Sequence, residues 1–292
     1  MNRLKLIVLS CFLLSFFSWA DTVPPCENNL ECIEAGQWDL GVALGYGKRS
    51  NPLKDYDDIP IYMVPTFAYY GEYGFFDNGN FGYTLTEKEL YTINVATSFS
   101  TDSAYFHRWD PSNIFLAGGN TFKTGSVASA GGSLFTTEEQ EPVIGPLETR
   151  RFTYLAGLEA FIYTRAGIIN FSLAHDMLNV HQGTEAQLKW IYNLPIQDWN
   201  FEFALKLDWK SEEIVDYYYG VRESESPYWN QEFKARSALN TGIELTSSYV
   251  ITQHWDLLFL ARYTHIADAI ADSPLLNEEY TSTFYIGSSY RF

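Results

Sequence analysis

EYTSTFYIGSSYRF, residues 279–292, alternates. Tyr280, Phe284, Ile286, Tyr290 and Phe292 fall on one face of an extended strand. Thr281, Thr283, Tyr285, Gly287, Ser289 and Arg291 fall on the other, because side chains alternate across a strand with a period of two. A final strand of this kind has an apolar face and an unpaired edge, and both need cover. A transmembrane barrel covers them together: the last strand pairs with the first, and lipid takes the outer face. A buried strand of a soluble sandwich is the competing reading.

The opposite end of the chain decides the compartment. Arg3 and Lys5 form a short basic region, Leu6 to Phe17 is almost wholly apolar, and Ser18-Trp19-Ala20 places small residues where a signal peptidase reads. Residues 1–20 therefore read as a secretory signal, cleaved between Ala20 and Asp21. Cys11 lies inside the apolar run rather than after it, which argues against a lipoprotein anchor. No second run reaches the roughly 18 apolar residues of a membrane helix, so an exported chain of this kind is soluble or a barrel. Cys26 and Cys32, six apart in PPCENNLEC, are expected to form a small disulfide loop in an oxidising compartment. A metal site would need two further ligands, and no His stands nearby in sequence.

The chain carries 21 Tyr, 21 Phe and 8 Trp, an aromatic load suited to the girdles of a barrel. Loss of Arg3 and Lys5 with the signal leaves 17 basic against 36 acidic side chains, a net charge of −19. That balance excludes nucleic acid as an expected partner. The acids gather in expected loops: Asp55, Asp57 and Asp58; Glu138, Glu139 and Glu141; Glu223 and Glu225; Glu278 and Glu279. Such runs read first as solvated loop tips, with a divalent-cation bridge to lipopolysaccharide phosphates as the lesser alternative.

Residues 21–36, with Pro24-Pro25, read as a periplasmic segment, and residues 37–292 as the barrel. Trp38 to Tyr46 is the first strand, with the small Gly41, Ala43 and Gly45 turned inward. Ile59 to Phe76 and Phe81 to Phe99 read as two long strands about an Asp77-Asn78-Gly79-Asn80 hairpin. Glu72 to Phe76 alone is shorter than the roughly 9–11 residues a crossing takes. Ser100 to Leu147 and Ser211 to Phe233 read as long extracellular loops. The clearest alternation sets Trp199, Phe201, Phe203, Leu205, Leu207 and Trp209 against Asn200, Glu202, Ala204, Lys206, Asp208 and Lys210. The predicted fold is an all-β, transmembrane, antiparallel up-and-down β-barrel of about ten strands, twelve if the early hairpin is subdivided, with both termini periplasmic.

Catalysis at a barrel rim would need a nucleophile or paired carboxylates beside a His. The candidates are His175-Asp176 and His265 with Asp268, while His107 and His181 fall in expected loops and His254 at a periplasmic turn. Adjacent residues of a strand point to opposite faces, and no G-x-S-x-G occurs. Neither an enzyme nor a cofactor is expected. The lumen charges Glu159, Lys189, Glu202, Lys206, Asp208, Glu244, Arg262 and Arg291 are of mixed sign, which suits a salt-bridged interior better than a wide pore.

Several segments resemble a known family. Gly45-Tyr46-Gly47, Asn51-Pro52-Leu53, Asp57-Asp58-Ile59-Pro60, Pro65 and Tyr69-Tyr70-Gly71-Glu72 are similar to the opening of the MipA/OmpV family of outer-membrane proteins. Phe75-Phe76-Asp77-Asn78, Gly82-Tyr83-Thr84-Leu85, Asp216-Tyr217-Tyr218-Tyr219-Gly220-Val221, Ser273-Pro274-Leu275 and Tyr290-Arg291-Phe292 continue the likeness. The Gly/Ser-rich stretch around 115–147 departs from it. The resemblance implies location in the outer membrane of a Gram-negative cell, among lipid and lipopolysaccharide. It also implies a scaffold role: one member brings a murein lytic transglycosylase together with a peptidoglycan synthase, and others are associated with osmotic response or adhesion. The Gly287-x-x-Tyr290-x-Phe292 ending resembles the signal that such barrels present to the outer-membrane assembly machinery.

Overall fold

A computed structural model describes residues 36–115 and 144–292. Ala20, Asp21, Cys26, Cys32 and the Glu138–Glu141 cluster lie outside the described residues. The wall begins with β1 (Trp38–Arg49) and β2 (Ile59–Tyr70). It continues through the short β3 (Gly74–Asp77), β4 (Asn80–Lys88) and β5 (Tyr91–Phe99). Next come β6 (Tyr154–Thr164), β7 (Gly167–Asp176), β8 (Thr184–Ile196) and β9 (Trp199–Lys210). The last three are β10 (Ala238–Val250), β11 (Trp255–His265) and β12 (Tyr280–Arg291). Each pairs antiparallel with its neighbour, and β12 returns to β1 from Gly41↔Arg291 to Arg49↔Thr283, closing the barrel.

Twelve strands, rather than ten, make this wall. The two long strands expected over 59–76 and 81–99 are four, because Gly71–Tyr73 and Glu89-Leu90 turn the chain. The Asn-Gly hairpin forms as expected: Asn78 and Gly79 sit at φ 48° and 91°, the left-handed conformations of a two-residue turn. Its first arm is only four residues long. The barrel therefore contains a strand too short to cross a bilayer by itself.

Burial decides between barrel and sandwich. On β9, Phe203, Leu205 and Leu207 are 41%, 52% and 41% exposed, whereas Glu202 and Asp208 are 4% and 6% exposed. A soluble sheet would show the reverse. Apolar side chains outside and charges inside require an apolar solvent around the molecule. On β12, Thr281, Thr283 and Tyr285 are buried while Tyr280, Phe284 and Ile286 face outward, as the alternation predicts. The glycines of β1 serve the closing seam: a Cβ on Gly45 would lie 2.8 Å from the Tyr285 hydroxyl, and one on Gly47 as close to its ring. The small inward residues thus make room for one buried tyrosine rather than for an open lumen.

Among the described residues, the long connections carry short helices. After β5 come a 3-10 turn (Ser103–Tyr105) and α1 (Pro111–Ile114). After β9 come α2 (Glu212–Tyr219) and α3 (Pro227–Glu232), and after β11 comes α4 (Asp268–Ala271). Leu53, Ile214, Val215, Tyr218, Ile270 and Leu275 bury one another in a cluster above the barrel mouth. Full burial of an aliphatic side chain stabilises by about 1.5–3 kcal/mol, so this cluster is a folded cap. Only short turns join the strands at the end that holds Trp38 and Phe292.

Candidate functional site in the capped lumen

Inward-facing strand positions set the lumen chemistry. Glu244 of β10 lies between Arg262 of β11 (Nε to Oε2, 2.5 Å) and Lys189 of β8 (Nζ to Oε1, 3.4 Å). Lys206 stands 3.8 Å from Asp208, and Arg291 stands 3.5 Å from Asp39. The Asn170 amide donates to Glu159 at 3.0 Å. Glu202 is buried on the same inward face of β9. The eight lumen charges singled out from the sequence are thus inside, and seven of them carry the partners just named. Charges removed from water persist when paired and hydrogen-bonded.

Where barrel meets cap, Lys210 is held by three carboxylates: Asp102 at 2.7 Å, Glu185 at 3.1 Å and Asp208 at 3.5 Å. The Tyr219 hydroxyl donates to the other oxygen of Asp102 at 2.6 Å. Asp102 therefore ties the segment after β5 to β9 and α2. Arg150 is fully buried; its guanidinium donates to Glu225 Oε1 at 2.7 Å and Oε2 at 2.9 Å, and to the Gly220 carbonyl at 2.9 Å. Burial pushes the Glu225 pKa up, but the bonds from Arg150 and from the Arg222 and Glu148 backbone N–H groups outweigh it and hold the pKa below the usual carboxylate range.

Between the hairpin tip and strands β5 to β9 lies a cavity of about 170 Å³. Phe75, Phe99, Phe115 and Leu155 give it an apolar side, and Asp77, Asn80, Glu159, Asn170, Gln187, Lys189 and Lys206 a polar one.

The histidines do not assemble a catalytic group. His175 meets Thr184 Oγ1 at 2.9 Å, and His254 meets the Arg291 carbonyl at 3.0 Å. His107 Nε2 lies 2.5 Å from the Arg150 carbonyl. His265 is exposed at the end of β11, with Asp268 in the first turn of α4. The structure instead sets His181 Nδ1 3.8 Å from Asp176. Burial, the largest influence, lowers the His181 pKa against the pull of Asp176, so the imidazole is neutral near pH 7. Asp176 accepts from Thr153 Oγ1 at 2.5 Å and from the N–H groups of Leu178, His181 and Gln182, which makes it the anchor of the loop after β7. That pairing, Arg150–Glu225 and the role of Asp102 all escape the sequence reading. The available signal was an acid ending a strand, followed by a polar loop.

Of the terminal residues, Gly287 faces Tyr285, and its Cβ would lie 2.6 Å from the Leu44 carbonyl. Tyr290 packs on Trp255 with ring centroids 4.9 Å apart. Phe292 donates its N–H to the Leu40 carbonyl and is 76% exposed.

The family model described as MltA-interacting protein MipA matches residues 40–292. The MltA-interacting protein of Escherichia coli K12 is 27% identical over 258 residues, covering 88% of this chain and 91% of that protein. The E. coli K12 protein YiaT is 24% identical over 255 residues, covering 87% and 91%. Outer membrane protein OmpV of Vibrio cholerae is 21% identical over 159 residues, covering 54% and 62%.

Proposed function

Because the chain belongs to the MltA-interacting protein MipA family, we propose that this outer-membrane barrel is a non-catalytic scaffold for peptidoglycan-remodelling enzymes. The observation that carries the proposal is the match over nearly the whole wall to a protein named MltA-interacting protein. Scaffolding suits the geometry: the lumen charges satisfy one another, and the mouth is covered by a cap with its own core. The docking elements are residues 21–36, which carry the Cys26–Cys32 loop, and the short periplasmic turns. The partners are a murein lytic transglycosylase and a peptidoglycan synthase, with lipid and lipopolysaccharide around the barrel. Gly287, Tyr290 and Phe292 serve delivery, as the terminal signal for the assembly machinery.

Crosslinking in intact envelopes followed by purification tests the scaffold. The full chain should recover a lytic transglycosylase, and deletion of residues 21–36 should abolish that recovery. Unchanged recovery would count against the periplasmic segment, and no recovery with the full chain would count against the scaffold itself.

A further inference from the structure

The loop between β7 and β8 closes on one carboxylate and one imidazole. Asp176 Oδ1 accepts from the Thr153 hydroxyl and the Leu178 N–H, and Oδ2 accepts from the N–H groups of His181 and Gln182. Two bonds on each oxygen fill the roughly four acceptor sites of a carboxylate. The His181 ring lies beside it, with Nδ1 3.8 Å from Asp176 and both side chains wholly buried. The Gly183 N–H donates to Nδ1 at 2.9 Å. An accepting Nδ1 carries no proton, so the neutral ring holds its proton on Nε2. Nε2 is buried and has no hydrogen-bond partner among the described residues. Asn179 and Gln182 sit at φ 57°, in the left-handed region that side chains disfavour. The loop keeps this shape only while its bonds hold it.

The same ring supports the cap. It packs on Tyr217 and Tyr218 of α2, with ring centroids 5.9 and 5.7 Å away. Beside it, Gly183 approaches α2 so closely that a Cβ would lie 2.5 Å from Ile214 Cγ1. Ile214 and Tyr218 belong to the buried cluster of the cap. The hydroxyls of Tyr217 and Tyr218 bond the Arg151 backbone.

We propose that His181 is an acid-operated latch: a proton taken up at Nδ1 breaks the bond from Gly183 and releases the loop and α2, opening the cap over the lumen. An imidazolium here has two N–H donors and no free acceptor among the described residues. Asp176 is saturated, Nε2 still meets no acceptor, and Gly183 points a donor at a donor. The other charged and titratable groups around the ring supply no partner. Asp102 is bound to Lys210 and Tyr219, Lys210 is itself a cation, His175 bonds Thr184, and Glu213 is exposed in the first turn of α2. Tyr217 and Tyr218 are engaged with Arg151. Burial outweighs the pull of Asp176 and Asp102 and holds the folded pKa below the open-chain value of about 6.5. Closure is therefore fully supported above about pH 6.5 and loses that support as pH falls through the folded value. This window lies above the range in which Glu225 is protonated. The latch does not depend on the scaffold proposal.

Hydrogen exchange in detergent at pH 7.5 and pH 5, expressed as protection factors, tests the latch. The amides of residues 178–183 and of α2 should lose protection several-fold and at most about thirtyfold, the ceiling for a group whose open-chain pKa is about 6.5. Strands β9 to β12 should keep theirs. In His181→Gln, whose side chain can accept from Gly183 but does not titrate, the loss should fall below about twofold. A change under about twofold in the parent chain would overturn the latch. So would an equal loss in the parent and in His181→Gln, which would assign the response to other groups. If Gln leaves the loop open at pH 7.5, His181→Phe, which keeps a ring against Tyr217 and Tyr218, replaces it under the same criteria.

Discussion

Arg150→Met tests whether the cap is held by one buried ion pair. Arg150 and Glu225 have fully buried side chains joined by two hydrogen bonds at 2.7 and 2.9 Å. Removing the cation leaves Glu225 buried against two backbone donors, Arg222 and Glu148, with no counter-charge. Breaking such a pair on one side costs about 3–5 kcal/mol. The barrel wall makes no use of it, so the loss should fall on local opening of the cap, raising the open population roughly a hundred- to several-thousand-fold. Hydrogen exchange read at residues 148–153 and 214–226 in detergent should show that acceleration, while β6 to β12 keep their protection. Arg150→Met with Glu225→Gln should recover most of it, because Gln keeps an acceptor for the backbone N–H groups and removes the orphaned charge. Acid supplies a second reading. The Glu225 pKa is lower in the folded cap than in the open chain, so its contribution is complete above the unfolded value, about 4.3. The contribution is lost as pH falls through the folded value. Cap opening should therefore rise below about pH 4 in the parent chain and much less in the double variant. Unchanged protection in Arg150→Met would refute the reasoning.

In the lumen, Glu244→Ala leaves Arg262 and Lys189 facing each other without their shared carboxylate, and should lower resistance to unfolding by about 3–5 kcal/mol in urea titrations. Gly45→Val should block closure of the β1–β12 seam, since even a Cβ there would lie 2.1 Å from the Ile286 carbonyl; heat-modifiable migration reports the folded fraction. Deleting Phe292 should reduce folded barrel in envelopes several-fold while leaving refolding in detergent nearly intact, because the side chain is largely exposed and a surface truncation costs roughly 0.5 kcal/mol or less.

The period of two at Tyr280–Phe292 and Trp199–Lys210 was enough to put the right side chains inside and outside. It did not by itself separate a barrel from a sandwich, because alternation depends only on strand geometry; the exposure of the apolar face and the β1–β12 pairing did. The family likeness was legible in short segments for the same local reason. The strand count was not: Phe81–Phe99 alternates as well through a turn at Glu89-Leu90 as it would through a bend. Nor could alternation show that β3 stops after four residues and pairs with β2 only across Ala68–Tyr70, since pairing is set in three dimensions. Arg150 and Glu225 are 75 residues apart, and Asp102 and Lys210 are 108. Only closure of the barrel brings such groups within hydrogen-bonding distance. Residue identity and spacing therefore settled which side chains share a face, while the cap and the paired lumen were decided by contacts that exist only once the strands have joined.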